Sequence, residues 1–268
     1  MAFPGNKTQN RVSMLKKFPR TQHIQGSNLQ IGDEDLSIVS VDGLSDRTLV
    51  ICEKVDGGNT GISFEYGKLL LQSRGHYLSG NDHSQYNLLK SWAHALSLDL
   101  FELLGNRFIM YGEWAFAKHT IFYDFLPHYF LEFDIYDKET NFFLCTEKRR
   151  QLLEGSSIIS VPVLFTGITS DFASFVKLSL FKSDKLIDNF KIAVEKSMYN
   201  LETAEKETEL SFLSEGIYIK DEVHGIVEGR YKWVRSDFIQ RIKDSDSHWQ
   251  SRTIVENQLQ SGVDIFAV

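Results

Sequence analysis

The sequence predicts an α+β fold of antiparallel sheets flanked by helices, and three observations carry that expectation. Short β-rich runs stand in groups, without the strict β–α alternation of a parallel sheet. Apolar residues recur at helical spacing in only a few segments. Glycines close those segments where a helix would stop.

Taken in order, residues 20–48 are polar and turn-rich and read as an irregular lead-in. "TLVICEKVD" is then β-rich, and "GISFEYGKLLLQSR" reads as a hairpin turning at Tyr66, Gly67 and Lys68. Residues 83–104 carry apolar side chains at helical spacing and end at Gly105, a residue suited to a helix C-terminus. "RFIMYGEW" and "HYFLEFDIYD" are two further strands. "TEKRRQLLEG" is a short helix, with Thr146 as its N-cap and Gly155 as its stop. Residues 170–212 are strongly charged and expected to be mainly helical, after which "SEGIYIKD" and "GIVEGRYKWV" return to strand character. This gives one domain over 1–240 with a helical insert at 146–212, and a short extension over 241–268.

Composition excludes several classes. With 268 residues, 42% of them hydrophobic, the chain can bury a sizeable core. No apolar run reaches the roughly 20 residues that a membrane helix requires. The first residues lack the apolar core of a signal peptide, and the two cysteines, Cys52 and Cys145, have no metal-site or disulfide-framework spacing. A reducing, cytoplasmic setting without membrane attachment is expected. The net charge of -7 means that any polyanion must meet a local basic patch, because the overall field repels it.

The chemistry concentrates in "VICEKVDGGNTGI", where Lys54 stands between Glu53 and Asp56 and a glycine pair follows. Side chains alternate faces along a strand, so Lys54 and Asp56 point one way and Glu53 the other. In "EGRYKWV", Arg230 and Lys232 share a face while Tyr231 and Trp233 take the packed one. Glu113 of "YGEW" shares a face with Tyr111. The sheets thus offer a face where lysines, an arginine and carboxylates converge, which is also how a solvated outer face looks.

The order of the pieces separates the two readings. "EKVDGGN", "SRG", "YGEW", "FLEFDIYD", "SEGIYIK" and "GRYKWVR" resemble the motif series of the covalent lysyl-nucleotidyltransferases, the superfamily of polynucleotide ligases and capping enzymes. Asn59, where capping enzymes and DNA ligases usually have arginine, resembles the ATP-dependent RNA ligases of the second phage type and their small cellular relatives. The resemblance implies a nucleotidyltransferase (ATP-grasp-like) domain with the nucleotide in a central cleft and no attached oligonucleotide-binding barrel.

The resemblance also implies the reaction and the roles. ATP would donate AMP to a lysine, the AMP would pass to a 5′-phosphate RNA end, and a 3′-hydroxyl would displace it, with Mg²⁺ or Mn²⁺ present. Lys54 matches the nucleophile, and Arg230 and Lys232 match the paired cations at the transferring phosphate. Glu53, Asn59, Arg74, Glu113, Phe133, Glu215 and Lys232 match nucleotide contacts, with Phe133 stacking on the base and Glu113 on the ribose hydroxyls. Asp56 and Glu215 match the metal-binding carboxylates, acting through water. Arg230 departs from the usual lysine at its position. A free lysine has a pKa of about 10.4, so cations, a metal or burial are expected to depress that of Lys54.

RNA with 5′-phosphate and 3′-hydroxyl ends is the partner implied, with an end-processing kinase or phosphatase alongside. The patch that binds it is expected among Arg74, Arg230, Lys232, Arg235 and the cluster Lys148, Arg149 and Arg150. In the lead-in, His23 and Ser27 either reach the nucleotide or belong to a capping loop. The rival readings are a GTP-using capping-type or other nucleotidyltransferase with a different acceptor, and a non-catalytic RNA-end binder that keeps the fold.

Overall fold

The structure is a computed structural model that describes residues 15–29, 33, 35–244 and 249–267. Along the first half run β1 (Gln22–Ile24), β2 (Ile38–Val39), β3 (Leu49–Lys54), β4 (Gly58–Glu65), β5 (Lys68–Ser73), α1 (Tyr86–Ala95) and α2 (Ser97–Leu104). Next come β6 (Phe108–Trp114), β7 (Phe130–Asp137), β8 (Phe142–Phe143), α3 (Thr146–Leu153), β9 (Ile159–Ser160) and β10 (Val163–Gly167). The remainder is α4 (Leu186–Lys196), α5 (Leu201–Lys206), β11 (Gly216–Val223), β12 (Ile226–Val234) and α6 (Ser236–Asp244). None of these helices is long and apolar enough to cross a membrane.

The strands form two mainly antiparallel sheets, as expected of the α+β class. One has the order β10-β3-β11-β12-β1-β2, and the other runs β5-β4-β6-β7-β8 with β9 beside β7. Strand parity decides what each face buries. Val50 and Cys52 of β3 and Tyr218 of β11 join the large core, together with Ile62, Phe64 and Ile135 of the second sheet and Leu89 and Trp92 of α1. Leu49, Ile51, Ile217 and Ile219 point the other way, into a smaller core against Phe172, with Tyr231 and Trp233 packed on it. The polar side of β12 therefore lies on the same face as Lys54, as the alternation predicts.

Four elements differ from expectation. The lead-in is not irregular throughout: β1 and β2 pair in parallel at the end of the first sheet, with His23 opposite both Lys232 and Ile38. The helix over 83–104 is two helices, because Leu96 (φ -97, ψ 20) breaks it between α1 and α2. The stretch 146–212 includes α3, α4 and α5 but also β10, which pairs with β3; its β-former Val163 packs on the large core and Phe165 on the smaller one. Thr146 is not the N-cap of α3; Cys145 holds that position, and the Thr146 N–H and hydroxyl both donate to Glu222 Oε1, at 2.9 and 2.6 Å.

The C-terminal segment is knitted into the body. The buried Asn257 amide accepts from the Tyr123 N–H at 2.9 Å and donates to the Ala115 carbonyl at 2.8 Å, and its own carbonyl accepts from the Tyr129 hydroxyl at 3.0 Å. These bonds fasten the connection between β6 and β7, which forms one wall of the cleft.

Candidate active site

A cleft of about 1070 Å³ opens between the two sheets. Its walls carry Glu53, Lys54, Asp56, Asn59, Arg74, Glu113, Phe133, Glu215 and Lys232. The nine come from distant parts of the chain, and sheet registers bring them together. Lys54 ends β3 opposite Gly216, so Glu215 stands one residue beyond the pairing. Asn59 of β4 pairs with Glu113 of β6 across the facing sheet. Tyr218 links both sides of the first sheet, opposite Cys52 on β3 and Lys232 on β12.

Two glycines permit this closeness. A Cβ on Gly216 would fall 2.1 Å from the Trp233 carbonyl oxygen, and one on Gly57 would fall 2.7 Å from that of Trp114. Both obstacles are backbone, which cannot rotate away. The glycines of "EKVDG" and "SEG" are therefore required by the approach of neighbouring strands.

Lys54 Nζ donates to Glu215 Oε2 at 2.7 Å, with the lysine side chain 24% exposed and the glutamate buried. Burial alone would lower the lysine pKa, but Glu215 and then Glu113 outweigh it and hold the group above its ordinary value. The depressed pKa expected of a nucleophile is absent here, because the carboxylates around the amine outweigh its burial. Glu113 is pushed up to about 8: burial is the main cause, Lys54 pulls it back, and Glu215 and Asp56 push it further. This pocket holds more carboxyl groups than its lysine can balance, and burial answers the excess by favouring the protonated form of Glu113.

That surplus bears on the metal the resemblance implies. Hard carboxylate oxygens are the right donors for Mg²⁺ or Mn²⁺. Among the described residues, no three His, Cys, Asp or Glu side chains converge as a metal cage. The carboxylates of Asp56 and Glu215 on the cleft wall have the chemistry to bind such an ion through its waters. Asp56 devotes Oδ2 to the Thr120 and Ile121 N–H groups, both at 2.7 Å, and its own N–H donates to the Tyr123 hydroxyl at 2.9 Å. It thus fastens the β6–β7 connection as well as facing the cleft.

Glu53 points away from Lys54, as parity requires. Its buried carboxylate accepts from the Ser179 hydroxyl and from the Leu180 N–H at 3.3 Å. Phe133 is 8% exposed and is held edge-on by Phe18 at 5.1 Å and Tyr218 at 6.0 Å between ring centroids. Behind it, the Tyr218 hydroxyl donates to Asp134 Oδ2 at 2.6 Å and Lys220 Nζ donates to the Phe133 carbonyl at 2.5 Å. These contacts hold the Phe133 ring in place as an aromatic shelf on the cleft wall.

Three expected cations stand elsewhere. Arg230 is not on the cleft wall: it lies one β-repeat beyond Lys232, and its guanidinium sits 4.0 Å over the Phe143 ring. Arg149 is 1% exposed, 3.4 Å from Glu132 and 3.8 Å from Asp134, so it cannot touch a nucleic acid. Arg235 is likewise internal, 2.6 Å from Asp237 and donating to the Ser214 carbonyl at 2.7 Å. Helical spacing in "TEKRRQLL" could not tell which basic residue turned inward; Lys148 and Arg150 are the exposed ones.

Other lining residues carried weaker signals. Tyr218 is missed in sequence, although alternation sets it on the face opposite Ile217 and Ile219. Phe18 lies in a coil, where no periodicity marks it. Arg252 also lines the cleft, and its Nη1 donates to the His119 carbonyl at 3.2 Å.

A family model described as RNA ligase matches residues 47–234, well over half of the chain. Comparison with curated proteins gives no match. Among solved structures, the fold is similar to point mutants of Naegleria gruberi RNA ligase. One with ATP and Mn has a TM-score of 0.53 at 14% identity, covering 85% of this chain and 58% of that one. Another with ATP and Mn scores 0.51 at 15% identity, covering 76% and 54%. A third, with AMP and Mn, scores 0.54 at 13% identity, covering 86% and 59%. The chain thus spans between half and two-thirds of the length of these structures.

Proposed function

Since this chain belongs to the RNA ligase family, we propose that it is an ATP-dependent RNA ligase working through a lysyl-AMP on Lys54. The observation that carries the reading is the Lys54–Glu215 pair at 2.7 Å in a cleft that also holds Phe133, Glu113 and Lys232. Phe133 stacks on adenine, Glu113 accepts from the ribose hydroxyls, and Asn59 and Arg74 flank the sugar and phosphate.

Lys54 attacks the α-phosphate of ATP, forming a phosphorus–nitrogen bond as the bond to pyrophosphate breaks. It must first give up its proton, and Glu215 is the acceptor in contact with it. Lys232 faces the transferring phosphate and offsets the charge that develops there. Mg²⁺ or Mn²⁺, held through water by Asp56 and Glu215, would supply added charge neutralisation at the phosphates. The AMP then passes to a 5′-phosphate RNA end, and a 3′-hydroxyl displaces it. Arg230, packed on Phe143, supports the aromatic shelf from behind.

The neighbours crystallised with ATP and Mn or AMP and Mn support the same nucleotide and metal for this chain. Breaks bearing other end groups would need a kinase or phosphatase before sealing. Cys52 and Cys145 are both free and buried, which suits a reducing cytoplasm. The test is incubation of a 5′-phosphorylated RNA with ATP and Mg²⁺ or Mn²⁺. Joined or circular products, absent when ATP is omitted, support the reading. Nucleotide transfer to a different acceptor, or RNA binding without product, would replace it.

A further inference from the structure

Lys232 has a carboxylate of its own. Its Nζ donates to Asp33 Oδ2, while Glu215 acts on it from the Lys54 side. Asp33 is buried, at 7% exposure, and two further basic groups reach it: Arg20 Nη2 at 3.1 Å and His23 Nε2 at 3.3 Å. Each of these is fixed in turn. Arg20 also forks onto Asp35, with both bonds at 2.7 Å. His23 lies opposite Lys232 in the β1–β12 register, and its Nδ1 is 2.7 Å from Ser27 Oγ, which accepts the Val234 N–H at 2.9 Å. Asp33 is thus held from the lead-in, from β1 and from β12 at once.

The consequence is a division of charge. Lys54 and Lys232 rise from the same sheet face, close enough that each disfavours the charge of the other. Glu215 is the carboxylate between them, and the bond that Lys54 needs is to that group. Deprived of Asp33, a buried ammonium turns to the nearest remaining anion, because an unpaired buried charge is costly. Among the described residues, the other carboxylate that acts on Lys232 is Glu215.

We infer that Asp33 is a positioning residue for Lys232: it gives that ammonium a separate anion, so that Glu215 stays on Lys54 and Lys232 stays on the wall facing the transferring phosphate. The inference rests on the reading of Lys54 as the nucleophile. Asp33 is not among the residues lining the cleft; it acts through Lys232.

The experiment measures the rate constant of lysyl-AMP formation at saturating ATP, and the ATP concentration giving half that rate. The proteins are wild type, Asp33→Asn, Asp33→Glu, Lys232→Met and the double variant Asp33→Asn with Lys232→Met. Asp33→Asn should slow the step by about 10- to 100-fold while half-saturation moves less than about threefold. Asp33→Glu, which keeps the charge, should fall between it and wild type. The double variant should be no slower than Lys232→Met alone, because the inference routes the effect of Asp33 through Lys232. Multiplying effects in the double variant would overturn the inference, as would an unchanged rate in Asp33→Asn or a loss confined to ATP affinity. Melting curves establish that each variant folds. Should Asp33→Asn fail to fold, Asp33→Glu decides alone: its rate constant must drop with half-saturation unmoved. Absence of lysyl-AMP in wild type would sink the ligase reading and this one together; an active wild type with an indifferent Asp33→Asn sinks this one only.

Discussion

Lys54 Nζ and Glu215 Oε2 lie 2.7 Å apart because β3 and β11 pair with Lys54 opposite Gly216. The pair defines a resting state in which the amine is held as an ammonium by its carboxylate neighbours. The proposed nucleophile is therefore charged in this state and must lose a proton before it can attack. A lysine in contact with a proton acceptor is poised for that change.

The first prediction follows from the same crowding. Glu113 has a pKa of about 8 in the fold, above its unfolded value, mainly through burial. The folded state then binds a proton that the unfolded chain has released. Its contribution to stability is complete below the ordinary glutamate pKa and is lost as pH rises toward 8. Glu113→Gln mimics the protonated form. Without nucleotide, the variant should melt above wild type at about pH 8.5 and level with it near pH 4, where both carry a neutral group. An equal difference at both pH values would show that charge is not the cause.

Gly216→Ala should damage site and fold together. Its Cβ would sit 2.1 Å from the Trp233 carbonyl oxygen, so β11 and β12 must part where Glu215 and Lys232 meet Lys54. Overpacking of this kind costs about 1–3 kcal/mol. Adenylation should fall by at least about 10-fold, since misplacement of about 1 Å can cost more than that. Denaturant unfolding and the adenylation rate check the two halves, and a variant matching wild type in both would refute the account of the motif glycine.

The acidic chain should hold RNA through few phosphate contacts. Arg74, Lys232 and Arg252 line the cleft, whereas Arg149 and Arg235 are internal. Each neutralised phosphate contributes roughly 0.7 to 0.9 to the slope of log affinity against log salt, so three give about -2 to -3. Titration of a 5′-phosphorylated RNA at several salt concentrations measures this. A slope steeper than about -6 would mean a far larger basic surface.

Period-2 alternation assigns Lys54 and Lys232 their faces without knowledge of the fold, but only the motif series sets them in one site with Glu215. The strand registers bring the three together. Alternation says nothing about how far along a strand a cleft extends, so Arg230, two residues from Lys232, was assigned to the phosphate but lies over Phe143. It is equally blind to coil. Asp33 and Phe18 belong to no periodic segment, and only tertiary packing places them against Lys232 and Phe133. The lead-in looks irregular in sequence because its strands are only three and two residues long, too short for a pattern.

The most direct test of the account is covalent labelling. Purified chain is incubated with ATP labelled at the α-phosphate and Mg²⁺ or Mn²⁺, then denatured and run on a gel beside Lys54→Ala. Wild type should carry the label through denaturation and release it when pyrophosphate is added back, because the bond to Lys54 re-forms ATP. The Lys54→Ala variant should carry none, since no other amine stands in line behind the α-phosphate. Label retained in Lys54→Ala, or absent from wild type with either metal, would contradict the central claim.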